Sequence, residues 1–464
     1  MRVRQIAITR VFAAMAILSL SALSCNLLLD PVVKNFPSDL WENRPDGISC
    51  FPTASSSTLN NNKLTFRHDH MLCIDIQMDS AEFEIMRYES RFGPDIRHDG
   101  GKTIIKIVID YLWNCDVPFP SEFNWYQANV TIDGLEAKGS GIRKKGFLGS
   151  IFSVAPGLIV ETGYYQAGGS FGETTRLTLN NNAEDASRII QCVNYHVFEM
   201  ADYPAPRCNI ANVSINGEAL GVYTHLETID ESFLLREFGN INGHLYEGQL
   251  ADFVEAWRFR WDAKGPASDP SATPLLAVSR ILEEVPDTDL EAELEKHLNM
   301  DRFITFWALE ALLAHWDGYT GNRNNFFIYL DPADNGRITF IPWGMNYFFG
   351  EFQSTSLRRH VTSEIPRRLS RIPEFATRFE TELKRLSNDV WDETELENLV
   401  DSLAAMVPFA QDDENYDEQV ESVKLWIADR TDIIDSLLVK GLPKGDSTGG
   451  KCLFNNNEDL ANGD

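Results

Sequence analysis

The side chains best suited to chemistry lie in one stretch, His315-Trp-Asp-Gly-Tyr-Thr-Gly-Asn-Arg-Asn-Asn325. His315, Asp317 and Asn322 give H-x-D-x-x-x-x-N, the spacing of a phosphoryl-transfer loop. That reaction needs a carboxylate to orient or deprotonate an incoming hydroxyl, the part Asp317 would play. It also needs an amide oxygen within reach of a divalent cation, and Asn322 or Asn325 would supply it. A further residue after the next hairpin should hold the main metal ligand, which points to Ile341-Pro-Trp-Gly-Met-Asn-Tyr-Phe-Phe-Gly350. The same spacing also suits a plain capped turn after a helix, so the surrounding elements must decide.

An apolar helical period from Met300 to Trp316 would deliver Asp317 at its C-terminal end. Asn325–Leu330 and Arg337–Pro342 read as a hairpin around Asp331-Pro-Ala-Asp-Asn-Gly336. That turn resembles part of a calcium loop but lacks the bidentate Glu at the twelfth position. Helical periods continue over Leu290–His297, Pro373–Leu386, Glu393–Met406 and Glu414–Leu438.

The first half is rich in strands: Cys73–Gln77, Thr103–Leu112, Trp125–Ile132, Gly139–Lys145 and Gly157–Thr162, a mostly antiparallel sheet. Asp133-Gly134 and Asn216-Gly217 are hairpin signals, the second between Ile210–Ile215 and Ala219–Leu226. Helices are expected at Ser80–Tyr88 with Ser80 as cap, at Asp185–Ala201, and at Ile229–Phe238 from Asp230. Trp257, Phe259 and Trp261 alternate with Arg258 and Arg260, which on a strand would put three aromatics on one face. Strands followed by helices predict an α+β protein with two lobes.

Composition narrows the function classes. With 69 acidic and 41 basic residues, a net charge of -28 over 464 residues argues against nucleic-acid binding, which needs a basic surface. Residues Met1–Ser24 carry Arg2, Arg4 and Arg10 before the apolar Val11–Leu23, the pattern of an export signal. Ala22-Leu23-Ser24-Cys25 resembles a bacterial lipobox, making Cys25 the lipidated first residue of a membrane-tethered protein; an ordinary cleaved signal is the alternative. Residues 25–64 then read as a Ser- and Asn-rich tether, 65–440 as the folded domain, and 441–464 as a loosely held polar tail. Cys50, Cys73, Cys115, Cys192, Cys208 and Cys452 remain, without CxxC spacing. Outside the cytoplasm an even set favours disulfides over zinc, in a pairing that sequence leaves open beside free buried thiols.

Over roughly residues 66 to 440 the chain resembles the CotH kinases, atypical secreted kinases related in fold to protein kinases. The resemblance is carried in order by Ala128-Asn-Val-Thr-Ile-Asp-Gly134, Gly141-Ile-Arg-Lys-Lys-Gly146, Leu177-Thr-Leu-Asn-Asn-Asn182 and Pro204-Ala-Pro-Arg207. Val213–Tyr223, Glu227-Thr-Ile-Asp230, Asp317-Gly-Tyr, Asn324-Asn-Phe326 and Ile341-Pro-Trp343 with Gly350 complete it. It implies a two-lobed atypical protein-kinase-like fold that transfers the γ-phosphoryl of ATP, with Mg or Mn, to protein Ser or Thr. By the same resemblance Asp317 would be the catalytic aspartate, Asn322 or Asn325 the loop amide, and Arg143 and Lys145 the phosphate-facing cations.

The departures are concentrated in the charge network. The family usually carries Pro-Trp-Asp-x-Asp where this chain has Pro342-Trp-Gly-Met-Asn346, leaving Asn346 as a neutral metal ligand and Gly344 as none. No lysine occurs in Phe152–Glu161, where the family places one, and Gln191 falls where its glutamate partner would be. Arg143, Lys144 and Lys145 are possible compensation, or simply a solvated strand end. If active, the protein is an atypical Ser/Thr kinase of the bacterial cell envelope with reduced phosphotransfer. Otherwise it is an inactive binding or scaffold module, and neither reading names its protein substrate or envelope partner.

Overall fold

The computed structural model describes residues 66–93, 95–98, 103–104, 106–107, 122–147, 151, 153–166, 174–346, 356–407 and 416–447. The export signal, Cys25 and the tether lie outside the described residues.

The strand-rich half forms a closed barrel. Its strands are β1 (Leu72–Met78), β2 (Tyr126–Ile132), β3 (Leu135–Lys145), β4 (Gly157–Glu161), β5 (Arg176–Asn180), β6 (Cys208–Ile215) and β7 (Glu218–Glu227), in the order β1-β2-β3-β4-β5-β7-β6. Neighbours are antiparallel except where β1 meets β6 in parallel, Ile74 opposite Val213, and closes the ring. Closure follows from alternation: Ile74, Ile76, Val130, Ile132, Ile142, Leu158, Val160, Leu177, Leu179 and Val213 fill one core. The two predicted hairpin turns are real, with left-handed φ at both central residues of Asp133-Gly134 (46° and 87°) and Asn216-Gly217 (53° and 81°). Helix α1 (Ser80–Tyr88) has its expected bounds, but its cap is Asp79, whose carboxylate accepts from the amides of Ala81 and Glu82. The predicted strand at Thr103–Leu112 is corrected where it is described: residues 103, 104, 106 and 107 are helical.

Helix α2 (Ile190–Met200) begins later than expected. Asp185 instead folds the preceding turn, its carboxylate accepting from the amides of Ser187 and Ile190. A disulfide from Cys192 on α2 to Cys208 on β6 ties this helix to the barrel across a sequence separation of 16, and Cys73 is also disulfide-bonded. Closing a loop of that length stabilises a fold by ~3 kcal/mol. Cys192→Ser with Cys208→Ser is therefore expected to lower the urea-unfolding free energy by about that amount; an unchanged midpoint would contradict it.

The rest of the chain packs around a second core. It contains α3 (Glu231–Phe238), β8 (His244–Gly248), β9 (Trp261–Ala263), α4 (Leu276–Glu284), α5 (Leu290–Leu294), α6 (Met300–Leu312) and α7 (Tyr319–Asn322). It continues through β10 (Phe326–Asp331), β11 (Arg337–Pro342), α8 (Glu364–Leu369), α9 (Pro373–Arg385), α10 (Glu393–Ala405) and α11 (Tyr416–Lys440). The strands form one sheet in the order β11-β10-β8-β9, so α+β holds over the described residues. Helix α6 is buried almost all round, its Phe303, Phe306 and Trp307 packing among aromatics from α2, β11 and α9.

Two expectations fail in this half. Residues 255–260 form a 3₁₀ turn rather than a strand, so Trp257 and Trp261 are buried while Phe259 is exposed, and no three-aromatic face forms. The start of the tail is pinned, because the Gly445 amide donates to Ser370 Oγ at 2.9 Å and Arg367 donates to the Asp446 carbonyl at 2.8 Å. Among the described residues no helix is long and apolar enough to cross a membrane.

Candidate functional site

The loop bearing Asp317 is shaped by charges that the fold buries. Helix α6 stops at Leu312, where the buried guanidinium of Arg430 takes the Ala311 and Leu312 carbonyls, acceptors that a helix end leaves without partners. Residue 318 caps α7 without a side chain, and Glu310 supplies the missing acceptor from α6. Its carboxylate accepts from the amide of Tyr319 at 3.0 Å, the amide of Thr320 at 2.8 Å and Thr320 Oγ1 at 2.5 Å. Burial pushes the Glu310 carboxyl up to about 8. Gly318 is required here: a Cβ would lie 2.1 Å from Glu310 Oε1.

Asp317 is 8% exposed and hangs between two amides. Asn322 Nδ2 donates to its Oδ1 at 2.6 Å, and Asn325 Nδ2 donates to its Oδ2 at 2.7 Å. Burial raises its carboxyl to about 6, while Asn322, Asn324 and Asn325 pull the other way by hydrogen bonding to the charged form. The loop's far side is anchored by Asp252, itself 1% exposed, which accepts from Arg323 Nε at 2.9 Å, Tyr319 Oη at 3.1 Å and the Glu364 amide at 3.0 Å. Sequence reading found Asp317 and both amides but missed Glu310 and Asp252, which act across the fold.

The segment after β11 meets this loop edge-on. The Trp343 amide donates to the Asn325 carbonyl, and Asn194 on α2 donates to the Met345 carbonyl at 3.0 Å. Gly344 is in the left-handed region at φ 58°, and a Cβ there would lie 2.4 Å from both Cγ and Oδ1 of Asn325. The place where the family's carboxylate would root is thus filled by a neutral amide oxygen. Asn346 donates through Nδ2 to Glu184 Oε2 at 2.7 Å, bringing in an acid from the turn before α2.

The three basic residues ending β3 separate by strand alternation. Lys144 turns inward, its ammonium donating to the carbonyls of Arg87, Glu89 and Ile151 at 2.8, 3.0 and 2.9 Å. Arg143 pairs with Glu122 and lies 4.7 Å over the Trp125 ring. Lys145 is lowered to about 8 by burial, and the charges of Glu184 and Glu247 hold it up against that. The triplet is therefore not a solvated strand end. Gln191 is buried and accepts from Asn180 Nδ2 at 3.0 Å, and the acids whose charges act on Lys145 are Glu184 and Glu247.

The structure thus joins Asp317, Asn322 and Asn325 to Gly344, and Asn346 to Glu184. Among the described residues no three His, Cys, Asp or Glu side chains are grouped to hold a metal by themselves. A magnesium-like cation asks less of a protein, using only one or two carboxylates and completing its shell with water and substrate phosphates.

Comparison with known proteins shows the family. The family model described as CotH kinase protein matches residues 160–435, more than half of the chain. Invasin CotH2 of Rhizopus delemar is 25% identical over 197 residues, 39% of this chain and 33% of that protein. The inner spore coat protein H of Bacillus subtilis is 21% identical over 249 residues, 52% of this chain and 64% of its own length. The match thus spans about a third of the invasin and just under two thirds of the coat protein. The family-model match over residues 160–435, more than half of the chain, places it in the CotH kinase protein family.

Proposed function

We propose that this chain is an exported, lipid-anchored CotH protein with a kinase-like cleft between its barrel and its helical body. The cleft takes ATP with Mg or Mn and transfers the γ-phosphoryl to Ser or Thr hydroxyls slowly. The observation that carries this reading is the Asp317 carboxylate, buried yet held by amides of Asn322 and Asn325, beside a 344–346 segment that brings no acid of its own. Names such as spore coat protein and invasin, borne by relatives, favour a surface location.

Each residue has a separate part. Asp317 accepts or orients the hydroxyl proton, Asn322 and Asn325 fix its two oxygens, and Lys145 faces phosphate oxygens. Asn346 would help to hold the cation, which when bound would neutralise phosphate charge. Transfer of this kind depends on positioning and charge neutralisation. Losing one such contact costs ~3 kcal/mol, about two decades in rate, so the neutral 344–346 segment makes a slow enzyme. The second reading is an envelope scaffold that keeps the fold without the chemistry; it is favoured by the same missing acids.

Calorimetry of the mature protein with ATP and Mn tests the cleft, and the scaffold reading expects no heat. The pH dependence tests the base. With Asp317 titrating at about 6, transfer should be flat above that pH and fall about tenfold per unit below it. Asp317→Asn should abolish transfer, and a rate indifferent to pH across this window would contradict the assignment.

A further inference from the structure

We infer that Glu184 supplies the anionic oxygen absent from residues 344 and 346, so that Glu184 and Asn346 together face the divalent cation. The inference rests on the nucleotide reading above and concerns a residue outside the Pro-Trp-Gly-Met-Asn segment.

Contact comes first. Glu184 Oε2 accepts from Asn346 Nδ2 at 2.7 Å, which leaves the Asn346 amide oxygen as its remaining polar atom. A hard cation prefers an anionic oxygen and accepts an amide oxygen beside it.

Rigidity comes second. Asn181 Nδ2 donates to the Ala155 carbonyl at 2.8 Å, and Thr224 Oγ1 donates to Asn182 Oδ1 at 2.6 Å. Asn182 itself takes a left-handed φ of 53°, and Asp185 accepts from the amides of Ser187 and Ile190 at 2.9 and 3.1 Å. The residues on both sides of Glu184 are therefore fixed to the barrel and to α2. A carboxylate on such a turn is held in place before any ligand arrives, which is what an ion site needs.

Charge comes third. Glu184 and Glu247 hold the Lys145 ammonium up against its burial, so the acid that meets Asn346 also acts on a basic side chain of β3. Residue 344 cannot carry the acid, because Asn325 fills that space. The acid has moved from the hairpin's exit to the turn before α2.

Calorimetry with the non-hydrolysable analogue AMP-PNP tests this on the mature chain, once with Mn and once with EDTA. Glu184→Gln keeps an oxygen acceptor for Asn346 and removes only the charge. The gain in affinity from Mn should shrink ~10-fold or more, while affinity in EDTA stays equal or rises. Equal losses in both conditions would show a structural role and overturn the inference, as would an unchanged Mn response. Failure of the wild-type chain to bind AMP-PNP at all would overturn the nucleotide reading and this inference with it.

Discussion

Alanine at position 318 is expected to unfasten the Asp317 loop and to cost ~3–5 kcal/mol of stability. The added methyl would lie 2.1 Å from Glu310 Oε1 and 2.5 Å from His315 Cδ2. Glu310 has nowhere to go, since its oxygens satisfy the amides of Tyr319 and Thr320 and the Thr320 hydroxyl, which also meets His360 Nδ1 at 3.0 Å. Overpacking alone costs ~1–3 kcal/mol, and each buried donor stripped of its acceptor adds ~1–3 more. Urea unfolding of Gly318→Ala measures the loss. Adding Glu310→Asp, one methylene shorter, should return part of it by making room. A Gly318→Ala protein as stable as wild type would mean that Glu310 does not hold this turn.

The second large effect separates two substitutions that look alike in the sequence. Restoring an acid at 346 sets a second carboxylate beside Glu184, whose Oε2 now accepts from Asn346 Nδ2 at 2.7 Å, and with Mn shared between the two acids phosphotransfer is expected to rise by ~10²-fold. Restoring one at 344 should do the reverse. Any Cβ there meets Asn325 at 2.4 Å and the backbone is left-handed at φ 58°. Gly344→Asp would push Asn325 away from Asp317, removing one of the two amides that orient the carboxylate. The double substitution should therefore be slower than Asn346→Asp alone. Equal rates for the single and the double variant would contradict the packing of Asn325 against Gly344.

What the sequence revealed and what it hid follow from the range of the interactions. Asp133-Gly134 and Asn216-Gly217 were legible because a tight turn is set by its own two residues. The loop from Asp317 to Asn325 was legible for the same reason: its side chains bond to one another within eight positions. Barrel closure was not, because β1 pairs with β6 only after the whole ring is built. Glu184, Asp252 and Glu310 were invisible because a lone acid in a sequence says nothing about the amide it will meet. The aromatic alternation at 257–261 misled because residues 255–260 wind at three residues per turn, which throws Phe259 out to solvent while Trp257 is buried, and Trp261 is buried only where β9 begins. Gly344 looked like a simple loss of a ligand, and only the contact with Asn325 shows that its space was refilled.

The most direct measurement is transfer of radiolabelled γ-phosphoryl from ATP with Mn to a Ser-rich protein, under single-turnover conditions. The wild-type chain should react slowly, Asn346→Asp about a hundredfold faster, and Asn346→Asp with Asp317→Ala not at all. A wild-type rate that Asn346→Asp fails to raise, or a signal that survives loss of Asp317, would contradict a cleft whose chemistry is limited by its missing charge.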